Sequence, residues 1–274
     1  MTRSSRTKRS GQRVDYDKIA SSYNRRYASN DMAPVAALLQ GLAWEIDAER
    51  VLEVGCGTGR WLADLDLVKR QLCGLDLSLG MLQQARARGN RLHLVRGKAS
   101  QPPLPDAAFD MVFCVNAIHH FDDPRSFVSE GRRLLKPKGV LVVIGSDPHD
   151  SHRNWYVYDF FRGTLETDLE RFPSWGTVLD WMVSVGFEEV EWRLAQQILD
   201  HKVGRDVLDD PFLQKQACSQ LALLSDEAYA AGLRRIEAAL EAAAATGETV
   251  RFPVDIRIGA LMGRCTSDER RVRT

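Results

Sequence analysis

The stretch Val51-Leu52-Glu53-Val54-Gly55-Cys56-Gly57-Thr58-Gly59 decides the fold of this chain. Residues 51–54 form a short run rich in β-branched residues, which predicts a buried parallel strand. Three alternating glycines follow, and residues 61–65 have the pattern of a helix. A strand that turns into a helix through glycines leaves backbone N–H groups with no side chain in front of them, so a ligand can lie against the main chain.

The spacing of these glycines narrows the choice of ligand. A dinucleotide-binding loop requires a glycine at position 60, where the sequence has Arg60, so a nicotinamide or flavin cofactor is disfavoured. A phosphate loop ending in Gly-Lys-Ser/Thr is absent from this stretch as well. What remains is the pattern Glu-x-Gly-x-Gly-x-Gly, which by itself is a weak signal because glycine turns are common.

Composition excludes several classes of function. Lys and Arg total 37, as do Asp and Glu, so no net charge attracts nucleic acid or an anionic membrane. No apolar run approaches the roughly 20 residues of a membrane span. The cysteines have no paired spacing, which predicts reduced thiols in a cytoplasmic protein without a metal site. They are Cys56, Cys73, Cys114, Cys218 and Cys265.

The two ends of the chain have the composition of tails. Residues 1–13 contain five Lys or Arg and no acidic residue, which predicts a disordered basic tail. Weak attraction to RNA is the alternative interpretation of this tail. Residues 266–274 are predicted to be frayed.

Strands and helices alternate through the middle of the sequence, which predicts a parallel sheet with right-handed crossovers. Beyond residue 147 the alternation ends in an aromatic stretch, a helix, a strand, a helical region and a final strand. No linker divides the sequence, so residues 14–265 are predicted to form one domain. The predicted strands are 71–76, 91–96, 109–115, 140–144, 187–194 and 249–262, and the predicted helices include one starting at an Asp31 cap, 78–89, 124–135 and 175–185.

This succession resembles the class I S-adenosylmethionine-dependent methyltransferases of the small-molecule, type 11 group, most specifically over residues 50–146. The resemblance implies an α/β fold with a seven-stranded, mostly parallel Rossmann-like sheet, an antiparallel last strand and helices on both faces. It also implies N-terminal lid helices (14–47) and helical cap insertions (148–172 and 199–247). The implied cofactor, S-adenosyl-L-methionine, would lie across the carboxyl ends of the first four strands, where open α/β sheets bind ligands.

The resemblance assigns the cofactor-binding residues. Asp76 lies about 20 residues beyond the loop, where a carboxylate can accept both ribose hydroxyls; a plain helix N-cap is the alternative. Leu77 and Met81 would contact the adenine, although Met81 at helical spacing also fits an ordinary core position. The loop contributes Gly55, Cys56, Gly57 and Gly59.

The segment Gly97-Lys98-Ala99-Ser100 departs from the family pattern. The family has an acidic residue where this chain has Lys98. A lysine cannot accept the adenine amino proton. Recognition of the adenine edge would therefore depend on backbone groups near Ala99.

Two further segments complete the predicted site. By resemblance, Asn116 binds the methionine part of the cofactor, and His119 or His120 faces the acceptor as a general base. Each histidine could instead have a purely structural role. Tyr16, Tyr23 and Arg26 resemble a lid over the amino-acid end of the cofactor, where an arginine can pair with a carboxylate; a packed aromatic beside a solvated charged face is the alternative.

We therefore predict a methyltransferase that moves a methyl group to a small-molecule acceptor by in-line displacement, as a monomer or homodimer. A non-catalytic cofactor-binding or scaffold protein is the alternative, and Lys98 is the feature that favours it. An RNA methyltransferase is less favoured because residues 116–119 lack the Asn/Asp-Pro-Pro-Tyr/Phe motif. An arsenite methyltransferase would require paired reactive cysteines, which the sequence does not contain.

Overall fold

The structure is a computed structural model that describes residues 16–20, 32–66, 70–88 and 91–266. The predicted tail 1–13 and residues 267–274 of the predicted frayed end lie outside these ranges. So do Tyr23 and Arg26 of the predicted lid.

One mixed sheet runs through the described part of the chain. The first five strands pair in parallel in the order β3-β2-β1-β4-β5, then β8 pairs antiparallel with β5, and β7 pairs antiparallel with β8. The α/β fold with an antiparallel last strand is thus confirmed, and a two-residue eighth strand joins the sheet by pairing with β8. The strands are β1 (Arg50–Val54), β2 (Gln71–Asp76), β3 (Leu92–Arg96), β4 (Phe109–Val115), β5 (Leu135–Gly145), β6 (Asn154–Trp155), β7 (Phe187–Val203) and β8 (Arg251–Cys265).

Helices cover both faces of this sheet because the central strands are apolar on both sides. Successive residues of β4 point to opposite faces: Phe113 belongs to one buried cluster and Val112 to the other. The first cluster is covered by α2 and α3, the second by α5 and α8. The helices are α1 (Tyr16–Ile19), α2 (Ala33–Glu45), α3 (Arg60–Asp64), α4 (Leu79–Arg88), α5 (Pro124–Leu134), α6 (Tyr156–Phe160), α7 (Thr164–Arg171), α8 (Trp175–Ser184), α9 (Ser219–Ala222) and α10 (Asp226–Thr246).

Three boundaries differ from the sequence predictions. Helix α2 begins at Ala33 with Met32, in a left-handed conformation, at the N-cap position, and the predicted cap Asp31 lies outside the described residues. Strand β5 begins at Leu135, and residues 136–139 bulge from it because Leu135 pairs with Phe109 while Val140 pairs with Met111. Residues 199–203, predicted as helical, extend β7, since β8 provides a continuous partner as far as Arg251.

The cap segments form a third buried cluster beside the sheet. Side chains from α6, α10 and the 3₁₀ turns 204–209 and 211–213 pack there against Phe252 and Val254 of β8. The strand that completes the sheet therefore also supports the cap. This shared strand brings the cap over the carboxyl ends of the parallel strands.

The described helices and the cysteines have two further properties. None of the helices in the described ranges combines the length and hydropathy needed to cross a membrane. All five cysteines are buried, and none forms a disulfide.

Gly232 on α10 provides a test of the cap packing. A Cβ atom at this position would lie 2.1 Å from Cδ1 of Phe161, a ring that is fully buried. We expect Gly232→Ala to lower the free energy of unfolding by about 1–3 kcal/mol, the usual cost of overpacking. Urea unfolding followed by circular dichroism measures this change.

Gly41 on α2 is the matched control, because a Cβ there would meet no atom within 4 Å. Gly41→Ala should raise the free energy of unfolding by roughly 0.5–1 kcal/mol, since alanine favours the helix. Equal stability of the Gly232→Ala variant and the parent chain would contradict the packing described here.

Candidate active site

The glycine loop after β1 requires the backbone freedom of glycine. Gly55 has φ 73° and Gly57 has φ 51°, both in the left-handed region. A Cβ at Gly55 would lie 2.7 Å from the Cβ of Ala117, whereas a Cβ at Gly57 would meet no atom within 4 Å. Gly55 therefore permits close packing under the loop, and Gly57 leaves the side that faces the cavity uncovered.

Asp76 fixes this loop at the end of β2. Its Oδ2 accepts a hydrogen bond from the Gly57 N–H at 2.8 Å, and its Oδ1 accepts one from the Ser78 N–H at 2.8 Å. Burial raises the pKa of this carboxyl above its ordinary value. Ser78 caps α4 as expected, because its Oγ accepts from the Met81 N–H. Each carboxylate oxygen of Asp76 retains a further lone pair for a ligand.

A cavity of about 490 Å³ lies over this loop and has the size of a cofactor site. Most of the described residues that the sequence analysis assigned to the site line it. Cys56 and Gly59 do not: Cys56 is buried, and Gly59 lies at the start of α3. The predicted residues that line the cavity are Tyr16, Gly55, Gly57, Asp76, Leu77, Met81, Ala99, Asn116, His119 and His120.

Asp122, an acid that no sequence motif indicated, also lines this cavity. Asp122 Oδ2 accepts a hydrogen bond from Ser100 Oγ at 3.0 Å and lies 3.6 Å from Lys98 Nζ. Its neighbour Asp123 is the N-cap of α5, with Oδ1 accepting from the Ser126 N–H. The pair of adjacent aspartates, of which a helix cap needs one, was the available sequence signal.

The two histidines lie in a 3₁₀ turn, Ile118–His120, directly after β4. The His119 ring stacks on Phe172 with centroids 3.7 Å apart, and the His120 ring lies 3.9 Å from the His119 ring. His120 Nε2 lies 2.6 Å from the Tyr16 hydroxyl. The turn thus places both imidazoles between the N-terminal helix and the cap.

A second, smaller cavity of about 170 Å³ opens on the cap side of the same histidines. Both cavities are bordered by Tyr16, Asn116, His119 and His120. Aromatic and aliphatic side chains from distant parts of the chain form much of its wall. Trp155, Phe172 and Phe212 come from the segments 148–172 and 199–247, which the sequence predicts to form the acceptor pocket, whereas no local motif indicated the aliphatic residues. The side chains of this wall include Met32, Trp155, Phe172, Ile198, Phe212, Ile256 and Ile258.

The buried carboxylate of Asp168 orients two polar side chains that line this cavity, Tyr158 and Gln220. Asp168 accepts hydrogen bonds from Tyr158 Oη (2.8 Å), Gln220 Nε2 (2.7 Å) and Arg171 Nη2 (2.6 Å). Burial, and then the nearby Asp168 charge, raises the pKa of the Tyr158 phenol well above its ordinary value. Tyr158 therefore stays a hydrogen-bond donor near neutral pH and cannot serve as a base. Within the described ranges, no group of three or more His, Cys, Asp or Glu is arranged to hold a metal ion.

Comparison with known proteins agrees with this geometry. Residues 52–143 match the family model described as a methyltransferase domain. A Mycolicibacterium smegmatis protein named as a probable S-adenosylmethionine-dependent methyltransferase is 29% identical over 196 residues, covering 69% of this chain and 76% of its own. The demethylmenaquinone methyltransferase of Geobacillus kaustophilus is 29% identical over 215 residues, covering 72% of this chain and 84% of its own.

A solved structure shares the fold. Phosphoethanolamine N-methyltransferase 2 of Haemonchus contortus, in complex with S-adenosyl-L-methionine, superposes with a TM-score of 0.56 at 16% identity. The alignment covers 91% of this chain and 57% of that one. At this identity the likeness establishes the fold alone.

Glu53, the acidic residue of the loop motif, is buried below the loop. It is 1% exposed, and its Oε2 has no hydrogen-bond partner among the described residues. Burial, and secondarily the Asp76 charge, raises the pKa of Glu53 well above its ordinary value. The folded state therefore holds a proton that the unfolded chain releases once the pH exceeds the ordinary range of glutamate.

Replacing Glu53 should remove this coupling between pH and stability. Because the raised pKa makes the folded state bind the extra proton, parent stability falls as pH rises between the unfolded and the folded pKa of Glu53. We expect Glu53→Gln to abolish that fall, so that its stability relative to the parent increases by up to about 1.4 kcal/mol per pH unit in that interval. Urea unfolding from pH 5 to 8 measures the difference. Glu241→Gln, at an exposed site on α10, is the control, and parallel pH curves for parent and Glu53→Gln would contradict the prediction.

Proposed function

We propose that the cofactor occupies the larger cavity over the glycine loop and that the acceptor occupies the smaller cavity under the cap. The chain is a class I S-adenosylmethionine-dependent methyltransferase for a small-molecule acceptor. The observation that carries this proposal is the shared border of the two cavities at Asn116, His119 and His120. A methyl group can pass from one cavity to the other only where they meet.

The residues of the larger cavity suit an adenosyl ligand. Gly57 leaves backbone uncovered beside the Asp76 carboxylate, whose remaining lone pairs can accept ribose hydroxyls. Leu77 is 54% exposed at the cavity wall, an apolar surface on which a purine can lie. Met81 is buried at the same wall, and the backbone at Ala99 borders the adenine edge.

The chemistry of the transfer requires placement more than activation. S-adenosylmethionine, when bound, supplies a methyl group already activated by the sulfonium. The protein has to align the acceptor nucleophile with it and exclude water. A neutral imidazole at the border can take the acceptor proton near pH 7. Since Tyr158 remains protonated, His119 and His120 are the bases proposed.

Tyr16 supports this role for the histidine pair. Its hydroxyl lies 2.6 Å from His120 Nε2, so it can fix the tautomer and orientation of that ring. The stacking of Phe172 on His119 holds the other ring. Tyr16 thus acts on the base, in addition to the lid role expected from the sequence.

The walls of the smaller cavity favour an acceptor with a flat apolar body. Trp155, Phe172 and Phe212 present aromatic surface to it. The Geobacillus relative is named for demethylmenaquinone, an acceptor of this kind. We propose an aromatic acceptor whose acidic O–H or C–H group faces the histidines, in a cytoplasmic enzyme.

Asp76→Asn tests the cofactor site. Loss of a charged acceptor for the ribose hydroxyls should weaken binding of S-adenosylhomocysteine by about 10- to 100-fold. Isothermal titration calorimetry measures the affinity, and thermal unfolding checks that the loop remains folded. Asp180→Asn, on the exposed face of α8, should bind as tightly as the parent. An unchanged affinity in Asp76→Asn, or no heat with the parent at high micromolar ligand, would refute the assignment.

Alanine replacements test the histidines. With a panel of naphthohydroquinones, phenols and aromatic carboxylates, formation of S-adenosylhomocysteine identifies acceptors that turn over. For these, the His119→Ala/His120→Ala double variant should lose about 10²- to 10⁴-fold in kcat, and the single variants show which imidazole acts. His93→Ala, on the exposed side of β3, is the control. Unchanged turnover of the double variant for every acceptor would exclude a histidine base.

A further inference from the structure

At the adenine end of the larger cavity, a lysine stands where the family has an acid, and an aspartate from another segment lies beside it. Lys98 stands in the segment after β3 where the resemblance calls for an acid, and its side chain is 61% exposed. Asp122, from the segment after β4, lies against it at 3.6 Å. Both residues line the cavity. A carboxylate is therefore present at this end, supplied by the segment that follows β4.

We propose that Asp122 accepts a hydrogen bond from the exocyclic amino group of the adenine and so determines the base specificity of the cofactor site. This inference rests on the proposed cofactor cavity. It replaces the expectation that backbone near Ala99 alone recognises this edge.

The two oxygens of Asp122 are used differently. Oδ2 accepts from Ser100 Oγ and faces Lys98 Nζ. Oδ1 accepts no hydrogen bond from the described residues, and Asp122 is an exposed residue at the wall of the cavity. The Asp122 side chain is 29% exposed, and Ser100 and Lys98 restrict its rotation. An oriented carboxylate with one oxygen available at the cavity wall is the acceptor that an amino group needs, because lysine offers only donors.

Pairing with Lys98 does not by itself explain the position of Asp122. A partly exposed ion pair at this separation contributes little to stability. The Ser100 hydrogen bond orients the carboxylate more directly, and it comes from the same segment that borders the adenine. The three side chains together form a donor–acceptor edge along the cavity.

Binding of two cofactor products tests the proposal. S-inosylhomocysteine differs from S-adenosylhomocysteine at the base edge, where a carbonyl oxygen replaces the amino group. A carboxylate repels that oxygen, so calorimetry on the parent chain should show tighter binding of the adenosyl compound by about 10- to 100-fold. Asp122→Asn can donate as well as accept through its amide, and the preference should fall to about threefold or less.

Asp123→Asn is the matched control, since asparagine is also a good N-cap and this neighbour caps α5. It should keep the parent preference. If the parent prefers the adenosyl compound and Asp122→Asn keeps the same ratio, or if the parent has no preference, the role of Asp122 is refuted while the cofactor site stands. If the parent binds neither compound, the proposed function itself fails.

Discussion

The Asp76 carboxylate joins two backbone segments that the parallel sheet brings side by side. Because Val54 of β1 pairs with Leu75 of β2, both strands end at the same level. The Leu75 carbonyl then accepts from the N–H groups of Gly55 and Cys56 at 2.7 and 3.1 Å, while Asp76 accepts from Gly57 beyond them. Hydrogen bonds within the protein therefore fix the conformation of the glycine loop before any ligand binds. A ligand that binds there meets a site whose backbone is already ordered, which reduces the entropy cost of binding.

The cap contributes the other half of the site through contacts that are remote in sequence. Phe172 at the end of α7 meets His119 after β4, and Tyr16 at the start of the described chain meets His120. The two histidines thus receive one partner from each side of the cleft. This arrangement explains why the two cavities meet at the histidines.

The central fold was predictable because its signals are local. Strands β1, β2 and β4 are short apolar runs bounded by turn residues, and burial on both faces requires such runs. The glycine loop and Asp76 were predictable for the same reason, since their spacing along the chain sets their positions at adjacent strand ends. Nine other predicted site residues line the same cavity as Asp76, largely because this topology brings the strand ends together.

The remainder depends on contacts between distant segments. Residues 199–203 read Leu-Asp-His-Lys-Val, a polar stretch without strand alternation, and they become strand only because β8 pairs with them. The meeting of Asp122 with Lys98 likewise depends on how two loops pack, which their own sequences do not encode. Lys98 is the feature that favoured a non-catalytic protein, because the family has an acid at this position. The structure places the carboxylate of Asp122 beside Lys98, and the curated relatives support the enzyme.

The long pairing of β7 with β8, interrupted by two register shifts, restricts how cap and core can separate. Residues 251–255 of β8 support the cap, residues 259–264 pair with β5 of the core, and β7 bridges both parts without a break in the chain. A rigid separation of cap and core would have to distort this ladder, whose register shift at Leu194 and Gln196 lies between the two parts. Substrate exchange should therefore proceed through small displacements of the short cap helices while the β7–β8 ladder stays paired.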